Sequence, residues 1–175
     1  MHSEAPEPAP VPVAVLGLGG SAALLAGAYG FEYFGGLVPC EMCWWQRWAL
    51  MATVFFAADA LLMAKLASRQ PKMAPVATGT AWLAIAGLAS NAAIALFHAG
   101  VEQKWWQGLT RCTAPLTAGD AASMMAEILA QPLVRCDAIP WQMLGVSMAG
   151  WNFLISSLLV GAATWLMRKP PTNAR

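Results

Sequence analysis

Trp44-Trp45-Gln46-Arg47-Trp48-Ala49-Leu50-Met51-Ala52-Thr53-Val54-Phe55-Phe56-Ala57-Ala58-Asp59-Ala60-Leu61-Leu62-Met63-Ala64-Lys65 decides the fold class. Between Arg47 and Lys65 the only charge is Asp59, and the run holds neither proline nor glycine. Its length matches the roughly 20 residues a helix needs to cross hydrocarbon. Backbone amides in lipid must bond within their own segment, so an open chain crosses as a helix. Three more stretches share this character, at about 12–34, 76–98 and 144–167. Hydrophobic residues make up 58% of the 175-residue chain and charged residues 11%. Ordinary soluble domains hold roughly 45–50% and about 25%. So few charges cannot cover a soluble fold of this size. The sequence therefore predicts an all-α integral membrane four-helix bundle, a single membrane domain spanning residues 1–175. A net charge of +1 without a basic patch speaks against a nucleic-acid partner.

The first stretch follows a Pro-rich segment with Glu4 and Glu7 and no Lys or Arg. A signal peptide would have a basic start and a shorter apolar run, so a retained first helix is expected. Orientation follows the positive charges in short loops. Lys65, Arg69 and Lys72 lie at the connection of about 66–75, and Arg168, Lys169 and Arg175 lie in the tail. Both are expected on the cytoplasmic side, with both termini inside and two loops, about 35–43 and 99–143, outside. Trp44, Trp45, Trp48, Trp105, Trp106 and Trp141 fall at the expected boundaries, where indole rings favour the headgroup level.

Cys40 and Cys43 lie between the first two helices, and Cys112 and Cys136 between the last two. Two helices separate the loops, so all four cysteines emerge on one side, outside the cytoplasm, where disulfides persist. Three readings follow. Two structural disulfides would suit Cys112 and Cys136, because closing a loop of about 25 residues stabilises by roughly 3.5 kcal/mol. They suit Cys40 and Cys43 poorly, since a two-residue spacing closes almost no loop. A zinc site wants two ligand knuckles, and Cys112 and Cys136 do not form one. Redox chemistry is the third reading. Cys43 falls at the start of the second helix with Arg47 four residues on, and both the helix N-terminus and a guanidinium favour a thiolate. Arg47 is also a donor fork suited to a carbonyl oxygen. With no haem, flavin or iron–sulfur signature, a lipid-soluble quinone is the oxidant that the surroundings offer.

Three stretches carry a resemblance: Gly36-Leu37-Val38-Pro39-Cys40-Glu41-Met42-Cys43-Trp44-Trp45-Gln46-Arg47-Trp48, Phe97-His98-Ala99-Gly100-Val101-Glu102, and Cys136-Asp137-Ala138-Ile139-Pro140-Trp141 running on through Ser147-Met148-Ala149-Gly150-Trp151-Asn152. The chain resembles the bacterial disulfide bond formation protein B family, the quinone-dependent thiol oxidases of the inner membrane. The resemblance implies that Cys40 and Cys43 are the quinone-coupled pair, with Cys43 meeting the quinone. Arg47 and His98 would lie at a ubiquinone or menaquinone, with Glu102 one turn beyond His98 and able to pair with it or with Arg47. Cys112 would form the mixed disulfide with a soluble thioredoxin-like periplasmic dithiol oxidase, and Cys136 would resolve it. No metal is implied. The related vitamin K epoxide reductase type differs in order, its quinone-side pair coming after the loop pair. The rival reading is a non-catalytic membrane scaffold with two structural disulfides. A small transporter would want converging mid-membrane polar groups, and Asp59 and Asn91 are few for that role.

Between Cys112 and Cys136, Asp120 is placed to cap a helix from Ala121. Ala121, Met124, Met125, Ile128 and Leu129 form one apolar stripe that Pro132 ends. A short surface helix facing the lipid is expected there. Asp59 lies about 18 Å along its helix from Arg47, so a structural hydrogen bond or a place near the cytoplasmic headgroups is expected of it.

Overall fold

The structure, a computed structural model, describes residues 10–109 and 134–169 together with Asp120, Ala122, Met125 and Leu129. Four helices are long and apolar enough to cross a membrane. Helix α1 runs Pro10–Tyr33, α2 Glu41–Ala67, α3 Ala74–Glu102 and α4 Met148–Arg168. A 3₁₀ turn at Pro71–Met73 joins α2 to α3. The molecule is an all-α four-helix membrane bundle.

The helix ends follow local chemistry, and three differ from the sequence expectation by three or four residues. Helix α1 stops where Gly36 takes a left-handed φ of 66°, the usual glycine exit from a helix. Helix α2 begins at Glu41 rather than Trp44, because Cys40 caps it: the Cys40 sulfur accepts the backbone N–H of Cys43 at 3.4 Å. Cysteine is not a usual cap, so residue preference did not reveal this start. Helix α3 continues past His98 to Glu102, four residues further than expected. His98 and Glu102 turn inward, so their polarity marks an interior face and not the end of the span. Lys104 adopts φ 61° and the Trp105 N–H returns to the Gly100 carbonyl at 2.9 Å, closing the helix.

The fourth stretch was expected to be helical from residue 144. Its first residues instead form a hairpin of β1, Gln142–Met143, and β2, Val146–Ser147, paired antiparallel. Leu144 and Gly145 both have positive φ, as a two-residue hairpin turn requires. Ser147 then caps α4, accepting the Gly150 N–H at 3.1 Å.

Helices α2 and α3 share the most extensive interface, with α1 on α2, α4 on α3, and α1 closing against α4. Small residues make the interfaces: Ala14, Ala57, Ala60, Ala64, Ala77, Ala81 and Ala84 are all buried. Lipid supplies no hydrophobic drive between helices, so close backbone packing must hold them. Gly87 of α3 packs closely against α2, since a Cβ there would lie 2.5 Å from Thr53 Oγ1. Between α3 and α4, the described Ala122, Met125 and Leu129 are helical and exposed. The remaining stripe positions Ala121, Met124 and Ile128 lie outside the described residues.

Candidate active site

At the end of the bundle where α2 starts and α3 finishes, three cysteines converge. The Cys40 and Cys43 sulfurs stand 3.1 Å apart, and the Cys136 side chain is in hydrogen-bonding contact with Cys40. Cys136 is fully buried in a cluster with Cys40, Met42 and Val101. Cys40 and Cys43 are in the dithiol form. Hydrogen bonds with Cys136 and then Cys43, reinforced by burial, hold the Cys40 thiol far above the ordinary cysteine range. Cys112 lies outside the described residues.

The loop bearing Cys136 is pinned by its neighbour. Asp137 accepts from Arg135 Nε at 2.8 Å and from Lys104 Nζ at 2.6 Å. Lys104 also donates to the Asp137 carbonyl at 2.6 Å. The Arg135 hydrogen bond, followed by that from Lys104, holds the Asp137 carboxyl well below the usual carboxylate range. These contacts tie the loop to the exit of α3 and so keep Cys136 against Cys40.

Beside the sulfurs lies a cavity of about 660 Å³, walled by all four helices and the Cys136 loop. Cys40, Cys43, Arg47, His98 and Glu102 all reach its wall, and apolar side chains such as Phe31, Leu50 and Ile155 make up most of the rest. His98 Nε2 is 3.6 Å from Cys40 Sγ and 3.8 Å from Glu102 Oε1. Glu102 also accepts the Ser147 hydroxyl, so the cap of α4 and the end of α3 meet at one carboxylate. Of the two partners expected for Glu102, His98 is the one beside it.

Arg47 pairs with Glu32 of α1, a residue the sequence did not single out. Its second nitrogen donates to the Ala28 carbonyl at 3.1 Å, and its guanidinium lies over Tyr29 at 4.5 Å and Trp44 at 5.1 Å. Trp44 therefore does more than anchor the interface. The pairing could not be read from sequence, because Glu32 and Arg47 meet across a helix boundary with no shared period. Other unforeseen members are Gln46, Asn152 and Ser156. Asn152 and Ser156 sit four apart on α4, one face of the helix, and that spacing of polar residues in an apolar run was a readable signal. Asn91 joins them, donating to Ser156 Oγ at 2.8 Å and to Asn152 Oδ1 at 2.9 Å. Asp59 is half-buried on α2 and takes no part in the cavity wall.

Cys40, Cys43 and His98 bring their ligand atoms within 4.8 Å of one another, so among the described residues they form the one group able to approach a metal.

The sequence matches the family described as disulfide bond formation protein DsbB over residues 11–166. The chain belongs to the DsbB family. Among curated relatives named disulfide bond formation protein B, that of Methylococcus capsulatus is 34% identical over 83% of this chain and 85% of its own. That of Verminephrobacter eiseniae is 30% identical over 84% and 79%, and that of Marinobacter nauticus 28% over 83% and 84%. No solved structure matches the chain. As a DsbB-family member with four spanning helices, it is a multi-pass membrane protein of disulfide bond formation.

Proposed function

We propose that this DsbB-family chain is a thiol–quinone oxidoreductase of the bacterial inner membrane, its cysteines facing the periplasm. It reoxidises a soluble thioredoxin-like dithiol oxidase and passes the electrons through two cysteine pairs to a ubiquinone or menaquinone. The observation that carries this reading is the order of sulfurs: Cys136 behind Cys40, Cys40 beside Cys43, and the last two in the cavity wall.

In the first exchange a partner thiolate attacks the Cys112–Cys136 disulfide, one new S–S bond forming as the old one breaks and Cys136 leaves as thiolate. The partner's second thiolate, and not Cys136 as the resemblance implied, then resolves the mixed disulfide. Attack by Cys136 would only reverse the first exchange, and both loop cysteines are left reduced. The loop dithiol next attacks the Cys40–Cys43 disulfide. Contact between Cys136 and Cys40 supports Cys40 as the sulfur attacked, with Cys43 as the leaving group. Exchange ends with the loop pair oxidised and Cys40 and Cys43 reduced.

The cavity fits a quinone head: its volume lies within the roughly 300–1,000 Å³ of ligand pockets, its walls are mainly apolar, and Arg47 and His98 are polar groups at the sulfur end. Arg47 and His98 would hold it, and a quinone there supplies a two-electron, two-proton acceptor for the Cys40–Cys43 dithiol. Arg47 presents fixed positive charge to the cavity, oriented by Glu32. The Cys136 loop, pinned through Asp137, packs against Cys40.

Replacing Cys43 by Ser tests the reading. Quinone consumption by the reduced partner should stop, while a mixed disulfide between partner and Cys112 still forms. Continued turnover in Cys43→Ser would overturn the assignment. A scaffold with structural disulfides would exchange with no external dithiol at all.

A further inference from the structure

Gln46, His98, Asn152, Asn91 and Ser156 form one continuous hydrogen-bonded chain across three helices, running from mid-bundle to the sulfurs. Gln46 Nε2 meets His98 Nδ1 at 2.8 Å. An amide nitrogen only donates, so Nδ1 must accept, and the proton of the neutral imidazole sits on Nε2. The Gln46 amide cannot simply turn round, because its oxygen is already engaged by Asn152 Nδ2 at 2.6 Å. Asn152 is fixed in turn: its Oδ1 accepts from Asn91 Nδ2 at 2.9 Å and from Ser156 Oγ at 3.1 Å. Ser156 Oγ accepts from Asn91 Nδ2 at 2.8 Å. Asn91 and Ser156 are wholly buried, and Gln46 and His98 nearly so. Turning one amide would set donor against donor at the next link, leaving a buried polar group unpaired.

We infer that Gln46, held by Asn152 and behind it by Asn91 and Ser156, is a positioning residue that locks His98 in the Nε2–H tautomer. The locked N–H points at Cys40 Sγ, 3.6 Å away, and into the cavity. His98 is then a hydrogen-bond donor to whatever negative charge develops among the sulfurs and the cavity ligand. Its Nδ1 is occupied by an amide donor, so it does not act as a base there. The same lock explains why His98, though close to two thiols, is poor as the third ligand of a metal: the nitrogen that faces them carries a proton. This inference rests on the reading of the cavity as the quinone site only for its bearing on turnover; the tautomer itself is independent of that reading.

The test is ¹⁵N NMR of the His98 ring in the reduced, detergent-solubilised full chain, with quinone reduction measured in parallel. In the natural protein Nδ1 should resonate as a pyridine-type nitrogen and Nε2 as a pyrrole-type one. Gln46→Glu keeps the shape but offers an acceptor to Nδ1, so the two signals should exchange character. Asn152→Leu never touches His98 yet frees Gln46 to turn, so a mixture of the two tautomers is expected. A protonated Nδ1 in the natural protein, or an unchanged pattern in both variants, overturns the lock. Exchanged signals together with about tenfold or greater loss of quinone reduction support it in full. Exchanged signals with turnover intact support the lock and count instead against His98 as a quinone contact.

Discussion

Arg47 lies 4% exposed between two aromatic rings, its guanidinium divided between the Glu32 carboxylate and the Ala28 carbonyl. A charge buried to that degree needs its counter-ion, and removing one partner of a buried pair is costlier than the pair is worth. Glu32→Gln leaves an acceptor but no compensating charge. It should lower stability by roughly 2–3 kcal/mol, read from thermal unfolding in detergent. It should also raise the KM for quinone, as the guanidinium loses its fixed aim. Unchanged unfolding would show that the aromatic rings and the Ala28 carbonyl suffice. Position 47 was legible as functional from its place one turn below Cys43. Its partner was not, because a pairing between two helices leaves no mark in either helix's own pattern. His98 and Glu102 show the same limit: their i, i+4 spacing was readable, but whether that face turned inward depended on where α4 and Ser147 came to rest.

The helices themselves were read from length and apolar content, and that is why their existence was plain while their ends were not. A cysteine cap, a hairpin built on Leu144 and Gly145, and an inward-facing polar turn each shifted a boundary by three or four residues. Interfaces between helices were less legible still, since alanines on every face give no stripe. Gly87 marks one such interface. A methyl there would meet Thr53 Oγ1 at 2.5 Å and the Thr53 Cα at 3.4 Å. Gly87→Ala should therefore destabilise the bundle by about 1–3 kcal/mol through overpacking. Thr53→Ala in the same chain should recover most of that loss by removing the crowding oxygen. A double variant no more stable than Gly87→Ala alone would show that the crowding is against the α2 backbone and not the Thr53 side chain.

At the scale of the molecule, alternation decides more than any motif. The connection from α1 to α2 and that from α3 to α4 lie at the same end of the bundle, so the two cysteine loops share a side. The fold adds what alternation cannot: Cys136 reaches across to Cys40, and a cavity opens at the Cys40–Cys43 pair where α2 begins. Small residues along α1, including Ala23 and Gly27, line that cavity. The most direct measurement is quinone absorbance on mixing the purified chain, a soluble quinone and a reduced thioredoxin-like dithiol protein. One quinone should be consumed for each dithiol oxidised, and the loss should vanish when any of Cys40, Cys43, Cys112 or Cys136 is replaced by Ser. Absorbance that stays constant with both ubiquinone and menaquinone analogues, while the partner remains reduced, would contradict the electron relay.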